Sequence, residues 1–142
     1  DANLDAAVAR LRATSETGAA TGAALELSFG ALVPDLLAAS RSGSSDDLVD
    51  RLADRINDIV SIRRTGADVA GDSVEARIAR AELLLAERDV AAAVAELDGV
   101  SGAAGDLLAP WMARARGHLD ARAALSDIEA QAIARLRAEG GL

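Results

Sequence analysis

The sequence predicts an all-α fold, a bundle of five to six helices with an antiparallel helical hairpin and a long C-terminal helix. Its 142 residues are rich in Ala, Leu, Arg and Glu, which are strong helix formers. One Phe, one Trp and no Tyr leave few of the residues that favour strands. Apolar residues recur three and four positions apart along several segments, which is the spacing of one helix face. An all-β fold is therefore excluded.

The N-terminal part of the chain is predicted to form two short helical segments. Asn3 can cap the first, which should end in the polar stretch 14–18. In the second, Pro34 is expected to start a short helix that ends at Ser40, because proline is favoured in the first turn. The apolar stretch 19–39 is interrupted by two acidic residues and this proline, so we do not expect it to span a membrane.

The clearest amphipathic helix is predicted at residues 45–60. Its apolar residues fall on one stripe when they are placed at about 100° intervals. Arginines beside such a stripe are typical of helices that lie among lipid headgroups. Five aspartates in the same segment favour packing onto the core instead, and both alternatives stay open. The residues predicted to contact lipid or a partner are Leu52, Arg55, Ile56, Arg63 and Arg64.

The helical hairpin is predicted downstream of a polar connector. Asp72 and Glu75 have the spacing of a capping box, so a helix should run from there to about Glu87. A tight turn at 88–89 leads into a second helix over 90–98, and small alanines let the two approach closely. The apolar residues Leu84, Leu85 and Leu97 are expected to help hold the fold.

The last helix is predicted from about Gly105 to Glu139, with Pro110 in its first turns. We expect Trp111 to act as a core anchor that pins this helix to the hairpin. A helix of this length is unusual in so small a domain. Either it kinks near Gly117 or Ser126, or its second half, 123–136, pairs with another chain, which favours a homodimer.

Several function classes are disfavoured by composition. A formal net charge of −8 argues against nucleic acid as a partner, and the absence of Cys excludes disulfides and thiolate metal sites. His118 is the sole histidine, and we expect it on a helix surface or partly packed. The sequence predicts no enzyme, no catalytic, cofactor or metal site, and no small-molecule substrate.

The C-terminal half resembles the mitofilin family, in particular its α-proteobacterial members related to the core subunit of the mitochondrial contact-site and cristae-organising system. The resemblance is carried by the stretches 72–77, 81–85 and 88–97. It continues through Leu-Ala-Pro-Trp at 108–111 and an Ala/Arg helix to Leu119. The lone Trp shortly after the hairpin is its most specific element. The complete absence of Lys beside fifteen Arg is typical of a high-GC bacterial genome.

The resemblance implies a non-enzymatic membrane-organising scaffold that helps shape or stabilise inner-membrane invaginations resembling crista junctions. Such a scaffold works by self-association, docking of a helical partner subunit or an outer-membrane protein, and lipid binding. It implies the periplasmic side of a bacterial inner membrane, with an upstream transmembrane anchor outside this chain. Residues 1–44 would be a helical segment left from a lipid-binding region, and 45–142 a mitofilin-like domain.

The alternative is a protein-interaction adaptor without lipid contact. Ala81, Asp89, Ala92 and Leu97 follow the spacing of a tetratricopeptide-like helix pair. The sequence contains one such unit, whereas a free-standing solenoid needs about three. This alternative predicts that Leu52 and Ile56 are buried.

Overall fold

The computed structural model describes residues 2–42 and 71–140, which form an all-α bundle. The helices are α1 (Ala2–Thr17), α2 (Gly22–Ser42), α3 (Val74–Ala86), α4 (Val90–Leu97) and α5 (Gly102–Glu139). The predicted fold class is confirmed, and no strand occurs within these two ranges. The predicted helix over 45–60 lies outside the described residues.

Helix α1 runs through the polar stretch that was expected to end it. The hydroxyls of Thr14 and Ser15 donate to the carbonyls of Arg10 and Arg12 at 2.9 and 2.8 Å, so they bind inside the helix instead of competing with it. The helix ends before Gly18, whose φ of 72° is the left-handed conformation common after a helix C-terminus.

Helix α2 is continuous through Pro34, so the prediction that Pro34 starts a helix is wrong. Proline cannot donate to the carbonyl four residues earlier, which belongs to Gly30. Both residues are exposed, so water can reach the carbonyl that lacks this donor. Buried side chains on both sides of the proline, Phe29 and Leu36, hold the two halves of the helix on one core.

By length and composition α2 is also able to cross a membrane. The exclusion drawn from its acidic residues and proline is therefore too strong. In the structure one face of α2 contributes Leu25, Phe29 and Leu36 to the core, and the rest of the helix is largely uncovered.

The hairpin of α3 and α4 is confirmed, with one correction at its start. Ser73, rather than Asp72, caps α3, and its hydroxyl accepts from the backbone N–H of Ala76 at 3.1 Å. The turn places Arg88 at a φ of 67°, and Asp89 then caps α4 by accepting from the N–H of Ala92 at 3.0 Å. Short polar caps on both helices therefore fix the geometry of the hairpin.

Helix α5 is about 57 Å long at 1.5 Å per residue, and it connects the rest of the bundle. It contacts α1, α2 and α4, while α2 also packs on α3. The helices α2, α3, α4 and α5 share one hydrophobic core. Its larger buried members are Leu25, Phe29, Leu36, Ile78, Leu85, Val90, Val94, Leu97, Leu108, Trp111 and Met112.

Candidate interaction surfaces

The residues predicted to contact lipid or a partner are Leu52, Arg55, Ile56, Arg63 and Arg64. All five lie outside the described residues, so their role stays a prediction. The burial of Leu52 and Ile56, on which the adaptor alternative depends, also falls on this part of the chain.

The residues expected to hold the fold lie in or against the core. Leu85 and Leu97 are buried, and Leu84 is half-buried against the same cluster. Trp111 is buried too, but it is fastened to α2. Its ring packs against Phe29 with the centroids 5.0 Å apart, and its Nε1–H donates to the carbonyl of Leu25 at 3.0 Å. Trp111 shares one hydrophobic core with the buried residues of the hairpin, and its hydrogen bond and ring contact also fasten α5 to α2.

His118 lies half-buried on α5, with its Nδ1 2.7 Å from the carbonyl oxygen of Ala20. The carbonyl is an acceptor, so Nδ1 donates to it. This bond ties α5 to the residues just before α2, which is a packing role. Among the described residues there is no group of acidic or His side chains able to hold a metal ion.

A small ionic network joins the helices of the hairpin. Arg80 of α3 contacts the carboxylate of Glu96 in α4 at 3.0 Å, and Arg77 lies 3.9 Å from the same carboxylate. Arg77 also donates to the backbone carbonyl of Glu96 at 3.2 Å. These charged side chains are partly shielded from solvent, and their contacts hold α4 against α3.

The first uncovered surface is an apolar groove between α2 and α3. The buried side chains of Phe29 and Leu85 lie beneath it, Glu26 and Glu82 line it, and Leu27 supplies its exposed apolar surface. Leu27 in the groove is 77% exposed and lies on the largely uncovered side of α2. The sequence-based prediction did not include this groove, because it depends on two helices separated by the connector.

The second uncovered surface is a row on the outer side of α5, here called the α5 seam. Its members follow one another at intervals of three and four residues and are all exposed. The seam consists of Arg122, Leu125, Glu129, Ala132, Leu136 and Glu139. Ile133 lies beside it and is 50% exposed.

Helix α1 covers a neighbouring face of α5 and leaves the seam open. Ala7 and Ala124 are buried where the two helices meet, and Arg10 forms an ion pair with Asp127 at 2.6 Å. At about 100° per residue, the centre of the seam is turned about 110° from Ala124. The sequence shows the spacing of Leu125 and Leu136, but it does not show which face of α5 is covered by α1.

Uncovered apolar faces on a small helical bundle are typical of a protein-interaction or scaffold module. The family model described as mitofilin, a mitochondrial inner membrane protein, matches residues 60–133, which is just over half of the chain. The chain therefore belongs to the mitofilin family, as the sequence resemblance indicates. No curated protein and no solved structure matches it. The family is a structural one of the inner membrane.

Proposed function

We propose that this chain is a non-enzymatic scaffold domain that helps shape or stabilise invaginations of the inner membrane. The match to the mitofilin model over residues 60–133 carries the proposal. The described part of that match spans the hairpin and most of α5. The proposed location is the periplasmic side of a bacterial inner membrane, with an upstream anchor.

Two features of the bundle support a role in docking. Leu27 in the groove between α2 and α3, and Leu125 and Leu136 on the α5 seam, are apolar side chains that no other described helix covers. A surface of this kind loses unfavourable contact with water when a partner covers it. The proposed occupants are a helical partner subunit or an outer-membrane protein, together with a second copy of the chain.

Lipid contact is proposed for residues 45–64, and liposome flotation tests it. Vesicles of graded anionic lipid content are mixed with the protein and floated through a density gradient at low and high salt. We expect flotation that rises with anionic lipid and falls with salt, because arginines attract anionic headgroups through a screened electrostatic interaction. The variant Arg63→Glu/Arg64→Glu should not float.

A charge-matched control separates this segment from the rest of the protein. The variant Arg12→Glu/Arg114→Glu makes the same change in net charge at two exposed positions of α1 and α5. It should float as the natural sequence does. Equal loss of flotation in both variants would mean that overall charge, and not residues 45–64, controls membrane binding.

The alternative is an adaptor that binds proteins without touching lipid. It is favoured by the exposed Leu27 in the groove between α2 and α3 and by the net charge of −8, which disfavours anionic membranes. It predicts no flotation at any lipid composition. That result would withdraw lipid contact from the proposal and leave docking and self-association as the function.

A further inference from the structure

We propose that the α5 seam pairs with the same seam of a second copy of this chain, with the two helices antiparallel about a two-fold axis. The inference rests on the proposed scaffold function and deepens it by naming one partner and one surface. The two-fold arrangement is self-complementary, because each copy offers the same patch to the other.

The exposure of the seam is the first support. Leu125 is 50% exposed and Leu136 is 69% exposed, although both lie on a helix whose first half is packed into the core. Alternating intervals of three and four residues are the spacing of a helix-pairing seam. Ala132 near its middle has a small side chain, which allows two helix backbones to approach closely.

The charges at the ends of the seam select the antiparallel direction. Arg122 begins the seam and Glu139 ends it, and neither forms an ion pair among the described residues. In an antiparallel pair centred between residues 130 and 131, Arg122 of each copy faces Glu139 of the other. A parallel pair would instead bring like charges together at both ends, which is unfavourable.

The same register brings the exposed leucines together. When Arg122 faces Glu139 of the second copy, Leu125 faces Leu136 of that copy, and Glu129 faces Ala132. Each copy supplies both members of every pair, so the contact between Leu125 and Leu136 occurs twice. Ile128 and Ile133 lie on opposite flanks of the seam. One register therefore pairs the terminal charges and the exposed leucines.

Cross-linking through introduced thiols tests the register, because the natural sequence has no Cys. The variant Leu125→Cys/Leu136→Cys should form a covalent dimer under mild oxidation, visible on a non-reducing gel. Within one copy the two positions lie about 16 Å apart along the helix, too far to form a disulfide. Leu125→Cys alone should stay monomeric on that gel. Efficient cross-linking of the Leu125→Cys single variant would overturn the antiparallel register.

A matched control places thiols on another side of the same helix. The variant Ala123→Cys/Ala134→Cys has the same spacing of eleven residues, and both positions are exposed away from the seam. It should give no covalent dimer. Equal cross-linking of the control and the seam variant would mean random collision, and would overturn the proposal.

Charge exchange tests the pairing without introduced thiols. Arg122→Glu and Glu139→Arg should each weaken dimerisation about tenfold in analytical ultracentrifugation, because two exposed ion pairs become two repulsions. The variant Arg122→Glu/Glu139→Arg restores opposite charges and should recover dimerisation. Circular dichroism should show unchanged helix content in all three, since both side chains are exposed.

The outcomes separate this inference from the proposed function. A natural sequence that sediments as a monomer at all concentrations would overturn the pairing, as would a dimer unaffected by either single charge change. Neither result depends on lipid, so flotation through residues 45–64 would still be read independently. Loss of flotation with an intact dimer would contradict lipid contact and leave the pairing standing.

Discussion

The attachment of α5 to α2 through Trp111 gives a quantitative prediction for stability. Trp111→Phe keeps an aromatic ring against Phe29 but removes the Nε1–H that donates to the carbonyl of Leu25 at 3.0 Å. That carbonyl also accepts from the hydroxyl of Ser28 at 3.1 Å, so it keeps a partner. We expect a loss of about 1–2 kcal/mol in the free energy of unfolding, one buried hydrogen bond plus a smaller ring.

Trp111→Ala should cost more, because it also removes the ring from a site that is only 4% exposed. Truncation of a buried large aromatic side chain costs about 3–5 kcal/mol. The measurement is urea unfolding followed by circular dichroism at 222 nm, with the midpoint and slope fitted for each variant. Leu27→Ala, at an exposed position of α2, is the control and should change stability by less than about 0.5 kcal/mol.

Two results would refute this account of Trp111. One is a Trp111→Ala variant within about 1 kcal/mol of the natural sequence, because the ring would then not be part of the core. The other is equal destabilisation by Trp111→Ala and Trp111→Phe, since the aromatic contact with Phe29 would then contribute nothing.

Two further predictions concern α5 and the start of α3. Gly117→Ala should stabilise the fold by about 0.5–1 kcal/mol, because an added Cβ meets no atom within 4 Å inside this helix. Gly105→Ala in the same helix should destabilise it by about 1–3 kcal/mol, because its Cβ would lie 2.8 Å from a backbone carbonyl oxygen. Thermal unfolding of the two variants tests the difference in sign. Partial desolvation raises the pKa of Glu75, but hydrogen bonds from its own backbone, Ser40 and Ser73 and the charge of Arg41 outweigh it and hold the pKa below its ordinary value. Its charged form therefore stabilises the fold above the ordinary pKa of a glutamate, and this contribution is lost as the pH falls through the lowered pKa. Glu75→Gln should reduce stability at pH 7 and make progressively less difference in acid, and a constant difference at every pH would contradict the assignment.

The sequence by itself determined the class of fold, the hairpin and the family. Helix propensity and the capping of α4 by Asp89 depend on residues within about four positions of one another, so they can be read locally. The resemblance to mitofilins is also local, since it is carried by short neighbouring stretches between Asp72 and Leu119. The exact ends of helices are harder to predict, because neighbouring polar residues compete to cap the same helix. The cap of α3 is Ser73, whereas the sequence predicted Asp72.

Only the tertiary structure decided which helix faces are covered. The sequence offered two alternatives for the second half of α5, a kink or another chain, whereas α1 packs on one side of a continuous helix. The contacts that set this arrangement join distant residues, such as Trp111 with Leu25 and Arg10 with Asp127. Apolar spacing shows that a helix has a face to bury, but it does not say which partner buries it. The exposed α5 seam is therefore a property of the folded bundle, because it is the part of that apolar surface which α1 leaves open.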